Sequence, residues 1–209
     1  MKALLIATTL CVAQLGAAEK GFTPLFNGKD LSGWQGIEGP TTNWVAKDGI
    51  LSCTGKKGSQ WIATKKEFSN FDLRLEYKIP TDGNSGVFIR APKEGNPWVT
   101  GLEIQVLDDY GPKWKDLKPD QFTAAIYAVQ PPSERATKKA GEWQTLRIRC
   151  ASSKCRVWVN GRQVIKADLA KLAEKVKNVP GLKRTGGFIG LQNHSSPVFY
   201  RNIRIKELK

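Results

Sequence analysis

Short runs in which apolar and polar residues alternate occupy most of this chain, and they restrict its fold more than any other feature. FDLRLEYKI, QTLRIRC and CRVWVN are examples, rich in the β-branched and aromatic residues that strands favour. Asp48-Gly49 and Asn160-Gly161 lie between such runs and have the residue types of two-residue hairpin turns. Only KADLAKLAEKVKN, residues 166–178, has helical spacing. The pattern predicts an all-β fold, an antiparallel two-sheet β-sandwich or jelly roll with one short helix.

The first residues, MKALLIATTLCVAQLGAA, have the pattern of a secretory signal peptide: Lys2, an apolar run, then small residues before the charged Glu19. The apolar run is too short to remain in a bilayer as a spanning helix. We therefore expect a signal peptide over residues 1–18, one domain over residues 19–209, and export to the periplasm or the extracellular space without stable membrane insertion. A buried N-terminal helix and a lipid anchor on Cys11 are the alternatives.

Three cysteines remain after the leader, and an exported protein meets an oxidising environment. Cys150 and Cys155 flank a four-residue connection between two predicted strands. Opposed positions at the mouth of a hairpin bring side chains close enough to bond. The sequence predicts a disulfide between Cys150 and Cys155, and Cys53 is then a buried free thiol.

The formal charge of +14 could indicate a nucleic acid or an anionic surface as partner. The lysines and arginines are dispersed, however, and acids are mixed among them, as in ERATKKAGE. No basic helix or arginine-rich run stands out. We expect a solvated basic surface, in contact with acidic envelope polymers at most, and no nucleic-acid partner.

Alternation also predicts which polar residues share the face opposite the core. With Val87, Ile104, Ile126 and Leu191 turned inward, one set of polar residues turns outward on four strands: Asn84, Arg90, Glu103, Gln105, Tyr127, Gln192 and His194. Amides, carboxylates and guanidinium groups bind sugar hydroxyls, and nearby rings stack on sugar faces. A simple Arg90–Glu103 ion pair and a structural His194 are the alternatives to a carbohydrate site. The long insertion at 92–121, with Trp98 and Trp114, is of the kind that often carries function.

These stretches resemble a known family. FTPLFNGKDLSGW, NWVAKDGILSC, GNSGVFIRAP, TGLEIQVLDD and GFIGLQNHSSPVFYRNIRIKEL follow in order and are similar to the bacterial 3-keto-disaccharide hydrolase domain across residues 21–209. The resemblance implies a concanavalin-like jelly roll, export, and action on glycosides whose C3 hydroxyl has been oxidised to a ketone. It also implies that hydrolysis proceeds by elimination and hydration. Whether the domain works alone or beside an upstream sugar oxidoreductase that makes the ketone is open.

The carboxylates test this implication. Conventional glycosidases use two carboxylates, and jelly-roll glucanases place these acids on alternate residues of one strand. Here Glu103 is followed at the alternate position by Gln105, which cannot ionise. A 3-keto sugar needs only one base, because the ketone acidifies the hydrogen on C2.

The candidate catalytic base is Glu103 or His194. The negative charge of the enolate could be stabilised by Arg90, by Gln105 or by a bound cation. Asn84, Tyr127 and Gln192 complete the predicted substrate-binding set. Whether a metal is required is open. A divalent ion is possible, with Glu103, Asp108 and His194 as candidate ligands, and Asp108 and Asp109 could instead cap a loop.

Three functions remain in competition at this stage. The first is an exported enzyme that cleaves 3-keto-glycosides, and the second is a non-catalytic carbohydrate-binding module on the same scaffold. The third is a structural domain of the cell envelope.

Overall fold

The structure, a computed structural model, describes residues 19–56 and 60–209 and is dominated by antiparallel strands. The predicted leader lies outside the described residues. The strands are β1 Thr23–Pro24, β2 Trp34–Ile37, β3 Trp44–Lys47, β4 Ile50–Cys53, β5 Trp61–Phe68, β6 Phe71–Lys78, β7 Asn84–Ala91, β8 Leu102–Leu107, β9 Gln144–Ala151, β10 Lys154–Val159, β11 Arg162–Asp168, β12 Gly187–Gln192 and β13 Val198–Glu207. The helices are α1 Pro97–Thr100 and α2 Leu169–Lys175, with 3₁₀ turns at Pro112–Trp114, Pro119–Gln121 and Pro180–Lys183.

Two sheets form the sandwich. The eight-stranded sheet has the order β11-β10-β9-β6-β13-β4-β3, and β1 adds to β13. The five-stranded sheet has the order β2-β5-β12-β7-β8. One apolar core fills the space between the sheets, and Leu73, Ile148 and Ile104 are among its fully buried members. The predicted antiparallel two-sheet jelly roll is confirmed.

The predicted turns and helix are confirmed with small changes of boundary. Asp48-Gly49 and Asn160-Gly161 adopt positive φ at both positions, as such hairpin turns require. Helix α2 begins later than its sequence pattern, because residues 166–168 continue β11. Leu169 is fully buried and places the helix against the core. The insertion at 92–121 is not irregular throughout, since it contains α1 and β8.

Cys150 and Cys155 are direct cross-strand partners on β9 and β10, as the hairpin argument predicted. Both side chains are buried, and their sulfurs lie 3.3 Å apart. They are free thiols here, so the predicted disulfide is not formed in this structure. Cys53 is a buried free thiol.

No helix within residues 19–56 and 60–209 combines the length and the apolar character needed to cross a membrane.

Candidate functional site

A pocket of about 460 Å³ opens on the face of the five-stranded sheet that points away from the core. Strands β5, β7, β8 and β12 form its floor, and the segments around α1, Tyr127 and His194 form its rim. We call it the polar pocket. Its lining consists of Gln60, Trp61, Asn84, Phe88, Asn96, Pro97, Trp98, Glu103, Gln105, Tyr127, Gln192, Asn193, His194 and Ser195.

Glu103 lies on the floor of the polar pocket and is only 4% exposed. Its strand β8 pairs with β7, where Phe88 is opposite Glu103 and Gly86 is opposite Gln105. The carboxyl group bends over Gly86: a Cβ built at this glycine would lie 2.1 Å from Glu103 Oε1. The missing side chain at Gly86 therefore makes the room that the buried carboxyl occupies.

Burial raises the pKa of the Glu103 carboxyl to about 8, because the low-dielectric floor disfavours the charged form. A hydrogen bond with the Gln192 side chain, on β12, opposes this rise in pKa by favouring the carboxylate. A carboxyl group with a pKa near the working pH is suited to accepting a proton and returning it.

Two amide oxygens in the polar pocket lack partners. Asn84 Oδ1 and Gln192 Oε1 are both buried and accept no hydrogen bond from residues in the described ranges. Buried acceptors are almost always satisfied, so these two point to donors supplied by a ligand. Sugar hydroxyl groups are donors of this kind.

Gln105 is held by the segment that covers the edge of β8. Its Nε2 donates to the carbonyl of Gln121 at 3.3 Å, and the Gln121 side chain donates to the Tyr127 hydroxyl at 2.9 Å. The backbone N–H of Tyr127 bonds the carbonyl of Glu103 at 3.0 Å. Residues 122–130 thus fix the Tyr127 ring against the floor, although they form isolated bridges and not a named strand.

Aromatic rings form two walls. Trp61 and Phe88 meet edge to face with ring centroids 5.4 Å apart, and Trp98 and Tyr127 meet in the same way at 5.7 Å. Gly190 leaves space for the Trp61 ring, because a Cβ at this position would lie 2.4 Å from that ring. Rings at the sides and amides on the floor are the combination that carbohydrate recognition uses.

His194 stands at the exposed rim, on the loop that follows β12. Asn193 anchors this loop: its backbone N–H bonds the Gln60 carbonyl at 2.7 Å, and its Nδ2 bonds the Lys56 carbonyl at 2.9 Å. Ser195 follows with positive φ and donates its N–H to Asn193 Oδ1. The loop that carries His194 is therefore held at the opening, and the His194 side chain is exposed.

The structure brings together all but one of the predicted catalytic and substrate-binding residues. Those that line the polar pocket are Asn84, Glu103, Gln105, Tyr127, Gln192 and His194. Their chemical roles remain predictions.

Arg90 is the exception, and its predicted position on the outward face is wrong. Between Phe88 and Ala91, β7 has one residue more than its partner β12, and Arg90 takes a φ of 52°. Such a β-bulge reverses the alternation. The buried guanidinium instead donates to the carbonyls of Ser152 at 2.6 Å and Arg184 at 2.7 Å, away from the polar pocket.

Asp108 does not line the polar pocket either, which does not support its place in a metal site with Glu103 and His194. Its carboxylate accepts the N–H of Asp82 at 3.0 Å. The Asp109 carboxylate accepts the N–H of Thr123 at 2.8 Å and the hydroxyl of Thr137 at 2.9 Å. Both aspartates are therefore loop-capping residues. Within residues 19–56 and 60–209, no group of three or more His, Cys, Asp or Glu side chains is arranged to hold a metal ion.

Sequence reasoning missed several lining residues, including Trp61, Trp98 and Asn96. Trp61 could have been found, because Ile62 is a core residue of the same strand and its neighbours therefore face outward. Trp98 and Asn96 come from the α1 segment of the insertion at 92–121, whose length and tryptophans indicated a function. The contact of the Trp98 ring with Tyr127 has no local signal in the sequence.

Comparison with known proteins agrees with this architecture. Residues 21–206 match the family described as the 3-keto-alpha-glucoside-1,2-lyase-like domain. A Bacteroides thetaiotaomicron protein named 3-keto-disaccharide hydrolase is 28% identical over an alignment 235 positions long, which covers 93% of this chain and 81% of that protein.

Solved structures show the same relationship. Two Parabacteroides distasonis structures assigned as glycosyl hydrolases superpose with TM-scores of 0.79 and 0.78, at 29% and 32% identity. Each alignment covers 90% of this chain, with 95% and 99% of those chains. A Bacillus licheniformis β-glucanase shares the fold alone, at a TM-score of 0.56 and 15% identity over 90% of this chain and 97% of its own. The chain therefore belongs to the 3-keto-alpha-glucoside-1,2-lyase-like domain family.

Proposed function

We propose that this chain is an exported enzyme that cleaves glycosides carrying a ketone at C3, by elimination across C1–C2 followed by hydration. The observation that carries the proposal is the single buried carboxyl group on the floor of the polar pocket, Glu103, with its pKa raised to about 8. Family membership supports a carbohydrate substrate, and the predicted leader supports export.

The number of carboxyl groups decides between mechanisms. A conventional glycosidase needs a second carboxyl group about 5–5.5 Å away for retention, or about 6.5–9.5 Å away for inversion. Glu103 is the only Asp or Glu that lines the polar pocket in the described ranges. Residues 1–18 and 57–59 contain neither amino acid, so they offer no second carboxyl group. Gln105 occupies the alternate position on β8, where an acid would be expected.

A single base is sufficient for a 3-keto sugar. The ketone acidifies the hydrogen on C2, and the Glu103 carboxylate takes this proton while negative charge develops on the C3 oxygen. The C1–oxygen bond then breaks, and the leaving oxygen receives a proton, for which His194 at the rim is the candidate donor. The product is an unsaturated 2-hydroxy-3-keto sugar. Addition of water returns hydrogen to C2 and places a hydroxyl group on C1, so the net reaction is hydrolysis.

The other lining residues have binding roles in this proposal. The unpaired oxygens of Asn84 and Gln192 accept hydroxyl donors of the oxidised ring. Gln105, fixed by Gln121, faces the same floor. The Trp98 and Tyr127 rings at the rim provide an apolar wall for the leaving group.

The test follows the reaction in D₂O by NMR, with the mature protein and a 3-keto-glucoside. Elimination and hydration should release the leaving group, show the unsaturated intermediate, and place solvent deuterium on C2 above the enzyme-free background. Glu103→Gln should lower the rate by about 10²–10⁴-fold. Glu67→Gln, an exposed acid on β5 of the same sheet, is the matched control and should retain activity.

Other results would change the proposal. Release of the leaving group without deuterium on C2 would contradict elimination, and equal activity on the unoxidised glucoside would contradict the ketone requirement. Sugar binding measured by calorimetry, without turnover of either substrate, would identify a carbohydrate-binding module.

A further inference from the structure

Three cations lie directly opposite one another on the outer face of the eight-stranded sheet. Lys166 on β11 pairs with Arg156 on β10, and Arg156 pairs with Arg149 on β9. We call these three residues the basic row. Their neighbours along the strands, such as Val157 and Ile148, are buried in the core, so the row faces solvent. Like charges directly opposite on neighbouring strands destabilise a sheet.

The basic row has no neutralising partners. None of its three residues forms a salt bridge with an acid in the described ranges, and residues 1–18 and 57–59 contain no Asp or Glu. Asp72 is opposite Arg149 but bonds Arg147 at 2.5 Å and Arg74 at 3.3 Å. Several other cations of this face, such as Arg74, Arg147 and Arg201, are paired with acids. The row is therefore a site of uncompensated positive charge.

Two aromatic rings lie on the same face. Trp158 is two residues from Arg156 on β10, and Trp143 is further away, just before β9. The Arg147 guanidinium stacks on Trp158 at 4.5 Å from the ring centroid, and Arg201 stacks on Trp143 at 4.0 Å. Trp158 and Arg147 also line a shallow depression of about 320 Å³. The face thus combines guanidinium groups with half-buried indole rings, and both are held in place by their neighbours.

We propose that this outer face binds an anionic polysaccharide, with the basic row contacting carboxylate groups of successive sugars. Guanidinium groups bind carboxylates through two parallel hydrogen bonds, and indole rings stack on sugar faces. The predicted leader, which would direct the chain out of the cytoplasm, favours a polysaccharide over DNA. The polar pocket opens on the other sheet, so the polymer and a small substrate can be bound together.

The test measures binding of polygalacturonate at about 50 mM and about 300 mM salt, where counterion release makes a contact of this kind strongly salt-dependent. The triple variant Arg149→Gln, Arg156→Gln, Lys166→Gln should bind about tenfold more weakly at low salt. It should melt at or above the wild-type temperature, because the like-charge repulsion is removed. The matched control is Lys29→Gln, Lys115→Gln, Lys171→Gln, which removes the same charge at exposed positions outside the face and should bind like the wild type.

Three results would overturn the proposal: no binding at low salt, an equal loss of binding in both triple variants, or tighter binding of duplex DNA than of polygalacturonate. Turnover in the polar pocket is a separate readout. A row variant that loses polymer binding but retains turnover supports the proposal, whereas failure of the proposed reaction leaves the polymer measurement valid.

Discussion

At the scale of single residues, the raised pKa of Glu103 affects both the proposed reaction and the free energy of unfolding. Its raised pKa means that the folded protein binds the proton more tightly than the unfolded chain, whose carboxyl pKa is near 4.5. The free energy of unfolding therefore falls as pH rises from 4.5 to about 8, and the loss is constant above that range. A buried carboxyl group that must ionise is thus stabilising only when it is protonated.

Replacing Glu103 by Gln should remove this loss of stability at high pH. We expect the variant to gain stability relative to the wild type as pH rises, by on the order of 4 kcal/mol at pH 9 compared with pH 4. Urea unfolding at several pH values measures this difference. A variant whose stability follows the same pH curve as the wild type would show that Glu103 titrates normally.

Two glycines in the floor should separate catalysis from binding. The Cβ of Gly86→Ala would displace the Glu103 carboxyl, so kcat should fall by about 10²-fold with little change in KM. The Cβ of Gly190→Ala would displace the Trp61 ring instead, so KM should rise more than kcat falls. Steady-state kinetics of both variants, with circular dichroism as the folding control, test this assignment. Identical kinetic changes in the two variants would contradict it.

At the scale of elements, the β9–β10 hairpin holds two thiols at cross-strand positions. We expect a Cys150–Cys155 disulfide to form once the predicted leader has directed the chain to an oxidising compartment, because the two sulfurs are only 3.3 Å apart. The bridge should add about 2 kcal/mol, a small effect because the closed loop is short.

Intact mass before and after reduction, with alkylation of the unfolded protein, measures the bridge. Oxidised protein should be alkylated once, at Cys53, and reduced protein three times. Three alkylated cysteines in protein isolated from the periplasm without reductant would exclude the bridge. Cys150→Ser should give two alkylated cysteines under both conditions.

Strand β7 illustrates the limit of pattern reasoning at this scale. Alternation placed Asn84 correctly at the start of the strand and Arg90 incorrectly near its end. The intervening bulge depends on the pairing of β7 with β12, and arginine is not a residue type that marks a positive φ. The outcome is a guanidinium that links the β9–β10 hairpin to the loop before β12.

At the scale of the whole molecule, the N-terminus of the predicted mature chain takes part in the fold. Glu19 lies immediately after the predicted leader, and its carboxylate bonds Arg74 at 2.5 Å and Arg204 at 3.1 Å. Cleavage after Ala18 would retain these contacts on the outer face of the eight-stranded sheet.

We expect the exported protein to begin at Glu19. Mass spectrometry of protein from the periplasm and the medium identifies the first residue. Leu5→Arg, which interrupts the apolar run, should keep the full-length chain inside the cell. Full-length protein in the cytoplasm of the wild-type strain would contradict export.

Local pattern was enough to predict the two-sheet architecture, its hairpin turns and the shared face of Glu103, Gln105 and Gln192. Side-chain direction in a regular strand has a period of two and needs no knowledge of distant residues. The resemblance to the family was also visible in the motifs alone.

The properties that make the pocket reactive depend on tertiary structure. The pKa of Glu103 depends on Gly86 of β7 and Gln192 of β12, which approach it only through long-range pairing. The same pairing turns Arg90 away from the pocket at the bulge and brings Trp98 to the rim. It also places the Asp108 carboxylate where it accepts a hydrogen bond from the Asp82 backbone N–H. Burial and hydrogen bonding involve residues far apart in the chain, whereas alternation is a property of neighbours.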